Sequence, residues 1–232
     1  MTTATPPVRD PEERGLRLVA VLLALTVVSG LIDAVGYLGL GRVFTANMTG
    51  NVVVLGFAAA GAPGFSVPHT ATSLACFLLG AAAGGRLAAR HHGERARRRR
   101  TRLTLAAEAV LVGMSAVVAF AWPDADGSSG TRYALIALTA VAMGLRNATV
   151  RKLGVADLTT TVLTMTLTAL ASESRFGDGT GHRSPRRTAS ALAMAGGACL
   201  GAWLVLHHGL AVPLLIAALV SGVLAAVASG RE

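Results

Sequence analysis

A chain of 232 residues that is 53% hydrophobic and only 14% charged falls outside the soluble globular class, which averages about 25% charged residues and must cover its core with polar surface. Its mean hydropathy of +0.58 places it among integral helical membrane proteins. The net charge of +9 would suggest nucleic acid in a soluble protein. Here the arginines sit in links between apolar segments, where they set topology, so no nucleic-acid partner is expected.

Residues 1–15 are polar and proline-containing, and read as a disordered cytoplasmic tail. Arg14 and Arg17 then precede an apolar run, as in a signal peptide, but the run continues to about Gly41 without an A-x-A cleavage site. That is too long for the apolar part of a leader, so 16–40 is expected to be a first transmembrane helix that also acts as a signal anchor. A second apolar segment, 45–62, is polar at its start and ends in the turn signal Ala62-Pro63-Gly64. Helices are predicted at 68–90 and 103–122, separated by a basic loop, 91–102, that holds Arg97 to Arg100. An acidic turn at 123–130 follows. The second half repeats the order: helix 133–150, a short threonine-rich segment 158–171, a loop 173–187 with Arg175, Arg183, Arg186 and Arg187, helix 188–206, a turn at His207-His208-Gly209, and a last helix 210–229.

The two halves resemble each other in detail. Gly30-Leu31-Ile32-Asp33-Ala34 matches Gly144-Leu145-Arg146-Asn147-Ala148, and Thr49-Gly50-Asn51 matches Thr164-Met165-Thr166 after a one-residue insertion. Gly80-x-x-x-Gly84 has its counterpart in Gly197-x-x-x-Gly201, a spacing that lets membrane helices approach closely. The chain therefore reads as two membrane repeats, 16–122 and 131–229, in one membrane domain.

Charge decides how many segments cross. If all of them did, the two basic loops would lie on opposite faces, against the positive-inside tendency. If 45–62 and 158–171 enter and leave on the same face, both basic loops and both termini lie in the cytoplasm, and of the 21 lysines and arginines only Arg42 and Arg132 lie outside. Both segments are also short beside the roughly 20 residues a span needs. The fold expected is all-α: six transmembrane helices plus two short re-entrant or broken segments. Each half then crosses an odd number of times, which makes the repeats inverted, a pattern found in transporters with sites near the midplane.

Asp33 is the leading site candidate, because an ionisable group within a membrane helix is costly. It reads as a proton or cation site or a substrate contact, or else as a structural carboxylate that pairs with Arg146 or caps the broken segment. Asn47, Thr49 and Asn51 around Gly50 could coordinate a polar solute or satisfy the backbone of a broken helix. Asn147, Thr164 and Thr166 join the candidate set as repeat counterparts, and Glu108 is expected to pair with Arg102 or Arg146. Gly80, Gly84, Gly197 and Gly201 are expected at helix contacts. Cys76 and Cys199 read as small packing residues, His207-His208 as too little for a metal, and Arg97 to Arg100 as topology signals able to meet lipid headgroups. No cofactor is expected, and no activated nucleophile or metal set suggests an enzyme.

Gly30 to Val35, Thr45-Ala46-Asn47-Met48-Thr49-Gly50-Asn51, Phe77-Leu78-Leu79-Gly80 and Met143-Gly144-Leu145-Arg146-Asn147-Ala148 together resemble the YoaK family of bacterial membrane proteins, the group labelled DUF1275. The resemblance covers about 16–229, with Asn-Met-Thr-Gly-Asn its most specific mark. Members usually carry Gln where this chain has Arg146. The resemblance implies a multi-pass protein of the bacterial inner membrane and supplies no substrate or catalytic residue. The function expected is a small transporter or permease for a small polar solute or ion. The alternative is a non-transporting scaffold or accessory subunit.

Overall fold

The computed structural model describes residues 11–89, 94–123, 129–153, 163–173 and 184–227. Among these there are helices and no strands: α1 (Pro11–Gly39), α2 (Met48–Ala59), α3 (Val67–Ala89), α4 (Glu94–Ala121), α5 (Ser129–Leu153), α6 (Leu163–Ser172), α7 (Ser184–His208) and α8 (Ala211–Val227). The start of the predicted tail (1–10), the acidic turn at 124–128, and Asp157 and Thr159 to Thr161 lie outside the described residues.

Five helices contain stretches of 21 to 24 residues that are apolar enough to cross a bilayer, at 19–39, 67–87, 99–121, 130–152 and 185–208. The last helix, α8, has 17 residues, at the lower limit of about 17–25 for a span. The helices α2 and α6 have 12 and 10 residues. At 1.5 Å per residue they reach only about 15–18 Å, roughly half of the apolar thickness.

Several helices run past their predicted ends. The first begins at Pro11, inside the segment read as a tail, because proline fits the first turn of a helix, where no N–H is needed. Arg97 to Arg100 belong to the first turns of α4 rather than to a loop, since arginine is a good helix former and no breaker follows Gly93. His207 and His208 are in the last turn of α7 rather than in a turn. Their rings pack on Trp203, with centroids 4.9 and 5.3 Å away, and the helix ends at Gly209 with φ 72°.

The helices pack chiefly as α1 with α7, α3 with α5, and α4 with α8. Glycine makes the first two contacts possible. A methyl group at Gly197 would run into the Val27 carbonyl, and one at Gly80 into the Val141 carbonyl. One at Gly201 would lie 2.8 Å from the Leu31 oxygen, and one at Gly84 would lie 2.9 Å from the Leu145 oxygen. Gly30 faces Met194 and Ala198 as Gly144 faces Phe77 and Ala81. Every partner in one interface is thus the repeat counterpart of a partner in the other. The set of principal helix contacts is unchanged when α1 to α4 are exchanged with α5 to α8. Burial follows the same pairing: α1 and α5 are the most buried spans, α3 and α7 the least.

The central helices run in opposite directions. Gly41, just past the end of α1, lies near Arg132 at the start of α5, whereas Val150 near the end of α5 packs on the cluster of Leu22 and Leu25. Buried hydroxyls on these helices donate to the preceding turn, as Thr26 does to the Leu22 carbonyl (2.9 Å) and Thr139 to that of Leu135 (2.6 Å), which removes their cost in an apolar surrounding.

Candidate functional site

The candidate site forms where α1 breaks. Beyond Gly39 the chain turns through Gly41 (φ 88°) and Arg42 (φ 59°). It then runs back along α1, with the Val43 amide donating to the Gly36 carbonyl at 3.4 Å. A methyl group at Gly36 would lie 2.5 Å from the Val43 oxygen, so only glycine allows this approach. Residues 43–47 are not helical, and their backbone groups need partners from side chains.

Asp33 and Asn51 supply those partners. Asp33 is only 5% exposed, and its Oδ1 accepts from the amides of Thr45 (3.0 Å) and Ala46 (2.8 Å). Asn51 is fully buried. Its Oδ1 accepts from the Phe44 amide (2.8 Å), and its Nδ2 donates to the Phe44 carbonyl (2.5 Å) and the Ser73 hydroxyl (3.1 Å). Ser73 Oγ also donates to the Phe44 carbonyl at 2.6 Å, tying α3 to the same bend. The Phe44 ring stacks on Tyr37 with centroids 5.0 Å apart, and Gly50 leaves room for it. Asn47 caps α2, its Oδ1 accepting from the Gly50 amide at 3.4 Å.

Two polar atoms of this cluster remain open. Asp33 Oδ2 and Thr45 Oγ1 are both buried, and neither has a hydrogen-bond partner. The two residues are joined through the Thr45 amide, so both open atoms belong to residues of the same bend. Buried polar groups of this kind ordinarily find a partner.

The other candidates are placed differently. Asn47 and Thr49 are exposed. Asn147 is half-buried on α5 and has a bonding partner. Thr166 is buried on α6, and Thr164 is exposed, its carbonyl accepting from the Thr168 hydroxyl at 2.9 Å. No hydrogen bond joins Thr164 or Thr166 to Asp33 or Asn51. The structure brings together Asp33, Asn47 and Asn51, and leaves their second-half counterparts apart from them.

A second buried polar cluster lies deeper in the bundle. Arg146 Nη1 meets Glu108 Oε1 at 3.0 Å, with both side chains almost wholly buried. Arg146 Nη2 donates to Ser29 Oγ, and Ser221 Oγ donates to Glu108 Oε1 at 2.9 Å. Four helices, α1, α4, α5 and α8, are pinned by these groups. Of the partners foreseen for Glu108, Arg146 is the one it takes. Ser29 and Ser221 carry no sequence signal beyond a neighbouring glycine, and Ser73 stands in an ordinary helical stretch of α3.

A family model described as "Protein of unknown function (DUF1275)" matches residues 21–227. The UPF0700 transmembrane protein YoaK of Bacillus subtilis (strain 168) is 33% identical over 153 residues, which is 66% of this chain and 65% of that protein. The match thus spans just under two thirds of that relative's length. No solved structure matches.

Proposed function

This chain belongs to the DUF1275 family and is a helical transmembrane protein, and on that premise we propose that it is a small permease for a polar solute or ion, with Asp33 as its proton or cation site. The observation that carries this reading is the open carboxylate oxygen of Asp33, buried beside the open hydroxyl of Thr45 at a helix break. Intramembrane carboxylates of this kind serve ion and proton pathways. Asn47 and Asn51 support the site by fixing the bend. Asn147, Thr164 and Thr166 belong to the corresponding region of the second half. The proposal includes no catalytic step and no cofactor, and its partners are the bilayer and the solute.

The topology proposed with it has six crossings and two inverted repeats, with both termini in the cytoplasm of a bacterial inner membrane. The opposed directions of α1 and α5 and the matching glycine contacts support it. So does the return of the chain after α2, where Phe65 lies under the Arg42 guanidinium, 5.3 Å from its ring centroid. Both tryptophans and both tyrosines fall at the end of the bundle formed by the last turns of α1, α4 and α7 and the start of α5, as aromatic residues do at a membrane interface. In a background lacking Cys76 and Cys199, single cysteines at Ser66 and Ser184 are expected to label from opposite sides, and those at Arg97 and Ser184 from the same side. Labelling of Arg97 and Ser184 from opposite sides would remove the inverted topology.

The functional test is proton and cation flux in proteoliposomes. Asp33→Asn keeps an oxygen for the Thr45 and Ala46 amides but replaces the open oxygen with a donor, so the fold is expected to survive while flux is lost. Wild-type flux in this variant would sink the role of Asp33. A wild type that shows no flux but co-purifies with one stoichiometric protein would favour the scaffold reading.

A further inference from the structure

Two buried carboxylates share one buried guanidinium deep in the bundle. Arg146 on α5 meets Glu108 on α4 at 3.0 Å, and its other terminal nitrogen donates to the Ser29 hydroxyl on α1. Asp33 stands four residues beyond Ser29 on the same helix, one turn along the same face, with about 6 Å of rise between them. The charge of Arg146 acts on both carboxylates, and among the described residues no other charge acts on either. Apart from the Asn47 amide, which also attracts Asp33, the three charged groups have no partners among the described residues beyond those already named.

The helices packed around this set add no further charge to it. α8 carries no ionisable residue, and Arg86 on α3 and Arg151 and Lys152 on α5 are exposed. Arg100 and Arg102 lie about two turns before Glu108 on α4. Arg187 on α7 pairs with Glu173, His207 and His208 at the far end of α7 are exposed, and His69 and Arg132 lie beyond the end of α1, at Gly41.

With both carboxylates ionised, two negative charges would face one positive charge out of reach of solvent. An uncompensated buried charge is costly, and arginine keeps its proton, so a proton on one carboxylate is what restores the balance. Each carboxylate has a place for it: Asp33 Oδ2 and Glu108 Oε2 are both buried without a hydrogen-bond partner. Glu108 Oε1 is engaged by Arg146 and Ser221, which makes Glu108 the ionised member in this arrangement.

We infer that Asp33, Glu108 and Arg146 form one charge-balanced unit that holds a single exchangeable proton, seated on Asp33 while Glu108 pairs with Arg146. Loss of that proton breaks the O–H bond at Oδ2 and leaves one net negative charge, which Glu108 cancels by taking a proton at Oε2. Glu108 is thus the second proton-binding residue, and Arg146 is the fixed charge that couples the two. This unit rests on the reading of Asp33 as a proton site but not on transport: protonation is read on the purified protein at rest, so the unit and the flux can each fail alone.

The test is the infrared spectrum of the detergent-purified protein at neutral pH, in light and heavy water, where the carbonyl stretch of a protonated carboxyl group is read directly. The wild type is expected to show a band from one buried protonated carboxyl, and Asp33→Asn to lose it. Glu108→Gln keeps an oxygen for Arg146 and Ser221 but removes the charge. Arg146 then balances an ionised Asp33, so the band is lost although Asp33 is untouched. Removing both charges of the pair, in Glu108→Gln with Arg146→Gln, brings the band back. A thermal-unfolding cycle gives a second reading where Glu108→Gln is too poorly recovered for spectra: Asp33→Asn should lower the unfolding temperature more in the Glu108→Gln background than in the wild type. No band in the wild type, a band that survives in Asp33→Asn or in Glu108→Gln, or an equal effect of Asp33→Asn in both backgrounds overturns the shared proton.

Discussion

Replacing Glu108 with alanine is expected to cost about 3–5 kcal/mol of stability, because it leaves Arg146 charged and buried without its ion pair. The guanidinium is almost wholly shielded from solvent; its remaining hydrogen-bond partner is the Ser29 hydroxyl, and Asp33 adds only a weaker charge attraction. Arg146→Ala is expected to fall in the same range, since Glu108 would keep only Ser221. Removing both charges together is a different matter. The double variant Glu108→Leu with Arg146→Met replaces the pair with apolar groups of similar size, and such exchanges are often neutral or stabilising. With the matching singles Glu108→Leu and Arg146→Met, thermal unfolding in detergent should show two damaged single variants and a largely restored double one, so the losses should be far from additive, as expected of residues in direct contact. Single variants as stable as the wild type, or additive losses in the double variant, would mean that the pair does not hold the four helices together.

Gly197→Leu and Gly80→Leu are expected to prevent folded protein from accumulating in the membrane. Each new side chain would enter the backbone of the facing helix, at Val27 and at Val141 respectively, where no rotamer change can clear it. Forced overpacking costs about 1–3 kcal/mol when side chains can yield, and more is expected where backbone is in the way. Because the two interfaces are counterparts, the two variants should be damaged alike. Gly85 and Gly196 are the controls: nothing lies within 4 Å of a methyl group at either position. Alanine there is expected to be neutral or to stabilise by up to about 1 kcal/mol, the cost of glycine in a helix interior. Size-exclusion profiles of membrane-extracted protein would check all four. Normal accumulation of Gly197→Leu would mean that α1 and α7 do not pack through this glycine.

The amino-acid order alone was enough to place the helices in a membrane, to reveal the duplication and to single out Asp33, Asn51 and the glycine pairs. Hydropathy, repeat spacing and small-residue spacing are local properties, and a bilayer gives few choices to an apolar helix. The partners of the polar groups were not legible in this way. Whether Glu108 meets Arg102 or Arg146, and that Ser29 and Ser221 complete the pair, depends on how α1, α4, α5 and α8 rotate against one another. The role of Asn51 was likewise open until the chain was seen to double back, because its partners are the backbone of Phe44 and a serine on α3. The same holds for Arg42, whose guanidinium finds its aromatic platform, Phe65, only because the chain returns after α2. Apolar burial fixes which face of a helix turns inward, but a hydrogen bond needs its two atoms within about 3 Å, and only the assembled bundle sets that distance.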